Sequence, residues 1–393
     1  MAHERNRDGG DRGEGRLTGR VVSPDAMLNR LSLAYGVLAG TFKVRFVPFV
    51  LAFLYANLRI AVWVAQALDN VAFPKLRTTK VARPIVIVGN PRTGTTFLHR
   101  FLVENDFGSG MHLYRSLYPS ILLQKVLRPF LPLLEKVSPA RFHQSAAHET
   151  NLSSVETDDV SVFFRYFDGF FLYGFFLAWD DTDRMPLFDP SVRDTTGRDF
   201  DWLEAAWKRS LVAQDSDRIV AKLFSTGPRT PAFLKRFPDA HILYMVRDPV
   251  EVIPSTFSLV TGVLDKAFGY STLPDDVRGR YNERLYLALV DLFRRFHADW
   301  TSGTIDRSRV MVVSYDRMMK DFDGLMAEMI PFFDMHPTEA QLAAIRTTAA
   351  EQRAYTSKHT YKLEKYGLDA DRIRRDCAFV YEEWLTPRSA ESA

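Results

Sequence analysis

An α/β fold with a doubly wound parallel sheet is predicted by three features of the sequence. Four short apolar runs are separated by long helical patterns, the alternation expected of parallel strands joined by crossover helices. The first run, Ile85–Val88, leads into a glycine-bearing turn and the start of a helix, Gly89-Asn-Pro-Arg-Thr-Gly-Thr-Thr96. The third, His241–Val246, leads into a basic turn and another helix, Arg247-Asp-Pro-Val-Glu-Val-Ile-Pro-Ser255. In open sheets of this class ligands sit beyond the carboxyl ends of the strands, which is where both turns fall.

The elements can be justified in order. Residues 1–26 are a polar arm, Gly- and Arg-rich, expected to be disordered and without the apolar stretch of a cleavable signal peptide. Residues 27–83 form an apolar, helical amino-terminal appendage. Within it, Phe46 to Leu68 is long and apolar enough to cross a bilayer. Arg59 and Asn57 fall near its middle and Pro48 near its start, and a charge at bilayer depth costs about 3 kcal/mol. Lys43 and Arg45 flank its first end. Three readings of residues 27–72 stand: a soluble helical cap, an interfacial membrane helix, or a true span.

The main domain is expected over 84–386, followed by a polar tail at 387–393. Its first strand is short and β-branched, as a central parallel strand should be. The helix after the turn gathers Phe97, Leu98, Phe101 and Leu102 on one face. Residues 108–180 alternate Pro-containing turns with apolar helical segments. Arg218–Phe224 reads as the second strand and Arg309–Ser314 as the fourth. Helices are expected near 199–212, 251–264 and 280–300. Phe322–Phe333, Pro337–Ala350 and a stretch near Ala370–Trp384 complete the helical content.

Composition narrows the function. With 46% hydrophobic and 25% charged residues in 393, the chain can build a sizeable core. A formal charge of +3 without a basic run argues against a nucleic-acid partner. The single cysteine, Cys377, allows no internal disulfide and no thiolate metal cluster, and fits a reducing cytoplasm. His143, His297, His336 and His359 show no zinc-site spacing. Nothing in the sequence sets an oligomeric state.

The turn after the first strand has the makings of an anion site. Gly89 and Gly94 permit tight folding, backbone N–H groups converge on an oxyanion, and a helix amino terminus adds partial positive charge. Gly89-x4-Gly94 matches the spacing of a nucleotide-binding P-loop, but Thr95 stands where that loop needs Lys. The cation has moved into the turn as Arg92. Here the sequence resembles the sulfotransferase family, whose 5′-phosphosulfate loop has the form Pro-Arg-x-Gly-Thr-Thr. The family's second motif, an Arg of Arg-Asp-Pro with a Ser eight residues on, is matched by Arg247 and Ser255. The resemblance covers about residues 84–385, and Lys358–Leu368 is similar to a carboxyl-terminal signature of the bacterial branch.

This resemblance implies a fold like that of P-loop nucleoside triphosphate hydrolases and 3′-phosphoadenosine 5′-phosphosulfate as donor, with no metal required. Arg92, Thr93, Gly94, Thr95 and Thr96 would hold the 5′-phosphosulfate. Arg247 and Ser255 would hold the 3′-phosphate, the alternative being a strand-end Arg paired with Asp248, and Tyr315 would lie near the adenine or be a partly buried core residue. Lys222 and Thr226, at another strand end, match a position where the family commonly carries a site-facing Lys; a solvated strand-end Lys is the alternative. The sulfuryl group would pass in line to a hydroxyl or amine, with Arg92 among the groups stabilising charge. For the general base the resemblance points to His148, with Glu156 either orienting the imidazole or acting itself, and Glu149 or His112 as further candidates. His99 reads as a packing or surface residue.

The acceptor is less defined. Phe163–Trp179 is rich in aromatic residues, either as core or as the lining for a lipophilic acceptor. With residues 27–72 it suggests a small-molecule or lipid acceptor and peripheral membrane contact of a cytoplasmic, membrane-associated enzyme. Two rival readings remain: a P-loop kinase or NTPase, and a non-catalytic membrane- or partner-binding protein on the same fold.

Overall fold

The computed structural model describes residues 26–137, 151–354 and 363–385. Its helices are α1 (Met27–Gly40), α2 (Val47–Ala72), α3 (Thr95–Glu104), α4 (Ile121–Leu127), α5 (Leu131–Val137), α6 (Asp159–Tyr166), α7 (Phe170–Phe175), α8 (Thr196–Gln214), α9 (Thr230–Arg236), α10 (Pro249–Phe268), α11 (Asp275–Thr301), α12 (Tyr315–Lys320), α13 (Phe322–Phe332), α14 (Glu339–Ala354) and α15 (Ala370–Asp376), beside shorter helical turns. The strands are β1 (Ile85–Gly89), β2 (Val220–Lys222), β3 (His241–Val246) and β4 (Val310–Ser314).

All strand pairs are parallel, in the order β2-β1-β3-β4. From β1 the chain crosses to β2 on one side and then to β3 on the other. The switch of direction therefore falls between β1 and β3, and the two motif-bearing turns leave the sheet side by side there.

Alternation along the strands explains why both faces are covered. Ile85 and Ile87 point with Leu243, Met245 and Val313 into a core closed by Leu98, Phe101 and Leu102 of α3 and by α13. Val86 and Val88 point with Ile242 and Tyr244 to the opposite face, against Phe200, Leu203 and Trp207 of α8 and Phe296 of α11. Every residue of β1 is buried, as its unbroken apolar run predicts.

The expected strands and long helices are all present, with shifted ends. β2 is three residues long rather than the seven of Arg218–Phe224, because a 3₁₀ helix, Phe224–Arg229, begins just past Lys222. Most of the polar arm, the tail, and part of the Lys358–Leu368 signature lie outside the described residues.

The amino-terminal helices pack on the main domain through polar pins. Asp69 is buried and accepts hydrogen bonds from Ile121 N (2.9 Å) and Leu122 N (3.0 Å), capping α4. It also pairs with Arg209 Nε at 3.2 Å. The Tyr55 hydroxyl donates to Phe164 O (2.6 Å) and the Gln66 amide to Pro119 O (2.8 Å).

Gly89 is the tightest point of the sheet. Its φ is +145°, and a Cβ there would lie 2.6 Å from Met245 O on β3. Gly89→Ala is expected to destabilise the fold by about 1–3 kcal/mol through backbone strain and the close approach of β3. Urea unfolding measures this, and an unchanged midpoint would show that the turn tolerates a side chain.

Candidate active site

The loop between β1 and α3 is pinned from several sides. The Asn90 amide donates to Leu289 O of α11 (2.8 Å), the Thr93 hydroxyl to Asn90 O (2.8 Å), and the Thr256 hydroxyl to Pro91 O (3.2 Å). Gly94, at φ +92°, is the N-cap of α3, and no side chain caps that helix. A Cβ at Gly94 would lie 2.7 Å from Met318 Cε and 2.8 Å from a Tyr315 ring carbon, so only glycine fits. First-turn N–H groups lack intrahelical partners. Here no side chain of the described residues caps them, the arrangement of an anion site.

Arg92 adopts φ +74°, an uncommon conformation for a side-chain-bearing residue. Its Nε donates to Ser255 Oγ at 2.9 Å. Arg247 leaves β3 beside it. Its guanidinium carbon lies 3.9 Å from the centre of the Tyr315 ring, and its Nη1 lies 3.4 Å from Arg92 O. The structure thus brings Arg92, Arg247, Ser255 and Tyr315 together. Arg247 does not pair with Asp248. It bonds Glu251 one helical turn on, with Nε–Oε2 at 2.9 Å, while Asp248 caps α10 through Val250 N. An i,i+4 pair at a helix start can be drawn away by a bound anion at small cost, since exposed pairs contribute little.

A second group meets the first at Thr96. The Lys222 ammonium donates to Thr96 Oγ1 at 3.0 Å and lies 3.7 Å from Glu156 Oε2. Glu156 Oε1 accepts from Arg100 Nη2 and from the Ser154 hydroxyl, each at 3.2 Å. Lys222 is 6% exposed, so it is not the solvated lysine that a strand end permits. Burial lowers its pKa, opposed by the attraction of Glu156. Its backbone is held from the other side, where Lys222 N donates to Asp158 Oδ2 (3.0 Å) and Asp158 N to Lys222 O (2.9 Å). Burial pushes the Asp158 carboxyl up to about 7, against hydrogen bonds from Trp207 and Lys222 that favour its ionised form.

Arg100 was not singled out in the sequence. Its signal was present, because it follows Thr96 by four residues and so shares a helix face with it. Thr226 is fully buried, and its hydroxyl has no partner among the described residues.

The histidines separate. His148 and Glu149 lie outside the described residues. His112 sits where a single antiparallel bridge joins it to Val155, next to Glu156. Burial and then the Arg115 charge lower its pKa to about 4. His99 is fully buried on α3, its Nε2 placed 3.0 Å from Val220 O, so it packs as expected. Burial, reinforced by Lys222, lowers its pKa to about 3.

Comparison with known proteins agrees with this geometry. The profile described as the sulfotransferase family matches residues 84–339. Among curated relatives, the omega-hydroxy-beta-dihydromenaquinone-9 sulfotransferases Stf3 of Mycobacterium bovis and Mycobacterium tuberculosis are each 26% identical over 311 residues, covering 73% of this chain and 75% of theirs. Among solved structures, sulfotransferase STF1 of Mycobacterium tuberculosis superposes with a TM-score of 0.68 at 18% identity, over 90% of this chain and 91% of its own. Sulfotransferase STF9 of Mycobacterium avium gives 0.64 at 18% identity, over 81% and 80%. At these identities the two structures show a common fold.

The buried neutral His99 makes a pH prediction. In the unfolded chain its imidazole protonates near 6.5, while in the folded state it stays neutral down to about 3. As pH falls below about 6.5 the unfolded state takes up a proton that the folded state refuses, so stability falls with pH. Between about pH 7 and about pH 5 the parent should lose about 2 kcal/mol from this group. His99→Gln, which can still donate to Val220 O, should lose correspondingly less. Equal losses in urea unfolding of both proteins would remove His99 as the source.

Proposed function

The chain belongs to the sulfotransferase family, and from that membership we propose that it moves a sulfuryl group from 3′-phosphoadenosine 5′-phosphosulfate to the hydroxyl of a lipophilic acceptor. The observation that carries the donor assignment is the convergence of Arg92, Arg247 and Ser255 at the uncapped start of α3. A donor with phosphates at both its 3′ and 5′ positions needs two cationic subsites. The Arg247–Ser255 side supplies one and the loop from Arg92 to Thr96 the other. Tyr315, stacked on Arg247, offers a ring near the nucleoside.

In the proposed step the acceptor oxygen attacks sulfur. The bond from sulfur to the bridging oxygen of the 5′-phosphate breaks, and the acceptor proton passes to a base. The products are the sulfate ester and 3′-phosphoadenosine 5′-phosphate. Negative charge grows on the departing bridging oxygen, where Arg92, the first-turn N–H groups and the Lys222 ammonium, held by Thr96, are disposed to stabilise it. His148 is the proposed base. Both oxygens of Glu156 are engaged by Arg100, Ser154 and Lys222, which favours a positioning role for Glu156 and leaves it the second candidate for the base.

The lipophilic acceptor is supported by two observations. The curated relatives are named as sulfotransferases of an omega-hydroxylated dihydromenaquinone. The aromatic segment at 163–176 places Phe163, Phe167, Phe170 and Phe171 half-buried, beside a fully buried part at Leu172–Gly174. An acceptor of this kind resides in membrane, so a cytoplasmic enzyme with peripheral membrane contact through residues 27–72 is part of the same proposal.

Calorimetry with 3′-phosphoadenosine 5′-phosphate, without divalent metal, tests the donor site. Tight binding is expected, with little for ATP and Mg²⁺; the reverse would favour phosphoryl transfer. Arg247→Ala should weaken that binding by about 10- to 100-fold, the usual loss of a charged hydrogen bond, and equal affinity would refute the 3′-phosphate assignment. Arg92→Ala should lower turnover by about 100- to 1,000-fold with the fold intact. Near-parental turnover would remove Arg92 from the mechanism.

A further inference from the structure

α2 is built inside out. Its protein-facing side recurs every three or four residues through Tyr55, Leu58, Arg59, Val62, Gln66 and Asp69. That side carries the Tyr55 hydroxyl, the Arg59 guanidinium, the Gln66 amide and the Asp69 carboxylate, while the amides of Asn57 and Asn70 are exposed, and of the 26 residues only Val62 and Asp69 are buried. The outward side carries Phe49, Phe53, Leu54, Ile60, Trp63 and Leu68, each more than half exposed. A helix at a water-facing surface shows the opposite pattern. The apolar surface continues onto the neighbouring α4–α5 segment through Val126, Phe130 and Leu133, also more than half exposed. Apolar surface of this extent marks an interaction site.

Charge selects the partner. From Lys43 to Lys80 the one acidic residue is Asp69, which is buried as the cap of α4. Lys43 and Arg45 are exposed at one end of α2, Arg77 and Lys80 beyond the other, and Lys125 and Arg128 on α4 and the turn after it. An apolar face rimmed by cations fits a bilayer with anionic headgroups; the exposed acid beside it, Asp215, is paired with Lys75 at 2.8 Å. Two copies packed face to face would oppose like charges instead. A transmembrane course is inconsistent with the pins at Tyr55, Gln66 and Asp69, which hold the helix flat along the domain for most of its length.

An aromatic run leads from this helix to the site. The Tyr55 ring lies 6.3 Å from Phe167, Phe167 5.5 Å from Phe163, Phe163 6.3 Å from Phe171, and Phe171 5.2 Å from Phe224. Phe224 is two residues beyond Lys222, and each phenylalanine of the run is half-buried. We infer that the outer face of α2, with Val126, Phe130 and Leu133, beds the protein in the plane of an anionic bilayer, and that the run from Tyr55 to Phe224 conducts a lipid-borne alcohol from that bilayer to the sulfuryl site. The second half of this inference rests on the lipophilic-acceptor reading.

The test is flotation of the full chain with vesicles of phosphatidylcholine, with and without phosphatidylglycerol, for the parent and for the double variant Phe53→Asp, Trp63→Asp. Both substitutions lie on the exposed face, away from the donor site. The parent should bind the anionic vesicles about tenfold more tightly than the neutral ones, and the variant should lose at least that factor. Unchanged binding of 3′-phosphoadenosine 5′-phosphate by the variant shows that it folds. Its transfer to a short water-soluble alcohol should match the parent, while transfer to a long-chain alcohol embedded in the vesicles should fall about tenfold. Absence of vesicle binding by the parent, or equal binding by the variant, overturns the surface. So does a parent dimer in solution that the variant abolishes, because a second copy would then cover this face. Phe171→Ala should depress transfer to the embedded alcohol more than to the soluble one, and equal effects overturn the path. Vesicle binding on the expected pattern without sulfation of any alcohol overturns the acceptor reading and leaves the surface supported.

Discussion

The concentration of positive charge around the β1–α3 loop is the constraint on which the rest of the site depends. Arg92, Arg100, Lys222 and Arg247 meet the uncapped end of a helix, and among the described residues Glu156 and Glu251 pair with them. Like charges gathered at partly buried positions repel, so such a cluster is tolerated when it is restrained from behind and neutralised from in front. The restraints are visible. Asn90 and Thr256 tie the loop to α11 and α10, Glu156 ties Lys222 to Arg100, and Tyr315 lies under Arg247. The front is the side from which a dianionic donor would approach, and an anion there relieves the repulsion that the folded chain carries alone.

Lys222 shows how such a group is kept in place. A buried ammonium without a partner would lose its proton or destabilise the fold by several kcal/mol. Its backbone exchanges two hydrogen bonds with Asp158, and its side chain has a hydroxyl on one side and a carboxylate on the other. The segment 154–159 therefore acts as a flank of β2, although the two are far apart in sequence. Placing Glu156 there commits its oxygens to Arg100, Ser154 and Lys222.

Much of this was legible in the sequence because it is local. The strand–turn–helix units around Gly94 and Arg247 announce themselves by residue type and spacing, and the burial of β1 on both faces follows from four β-branched residues in a row. What stayed hidden is tertiary. That Lys222 is buried rather than solvated depends on Glu156 and Thr96, which no periodicity connects to it. Arg247 chooses Glu251 over the adjacent Asp248 because Asp248 is needed to cap α10, a competition decided by helix geometry. β2 is cut short by a 3₁₀ turn that its apolar pattern does not announce. The base assignment stayed with the sequence, since His148 lies outside the described residues.

The same distinction governs the amino-terminal helices. Composition alone left three readings of α2 open, a soluble helical cap, an interfacial helix and a span, because all three accept an apolar stretch of similar length. The direction of its polar residues separates them. A core helix would have its apolar side covered, and a span would have no reason to aim Arg59, Gln66 and Asp69 at one flank. Here Asp69 caps α4 and pairs with Arg209 while Phe53 and Trp63 face outward. The polar side is therefore structural, and the apolar side is left for a partner that is itself apolar. A family chemistry that places a charged sulfate on an alcohol needs access to both an aqueous donor and, for a lipid alcohol, a bilayer. With the donor loop at the strand ends and an inside-out helix on the same domain, joined by half-buried rings, this chain presents a surface suited to each.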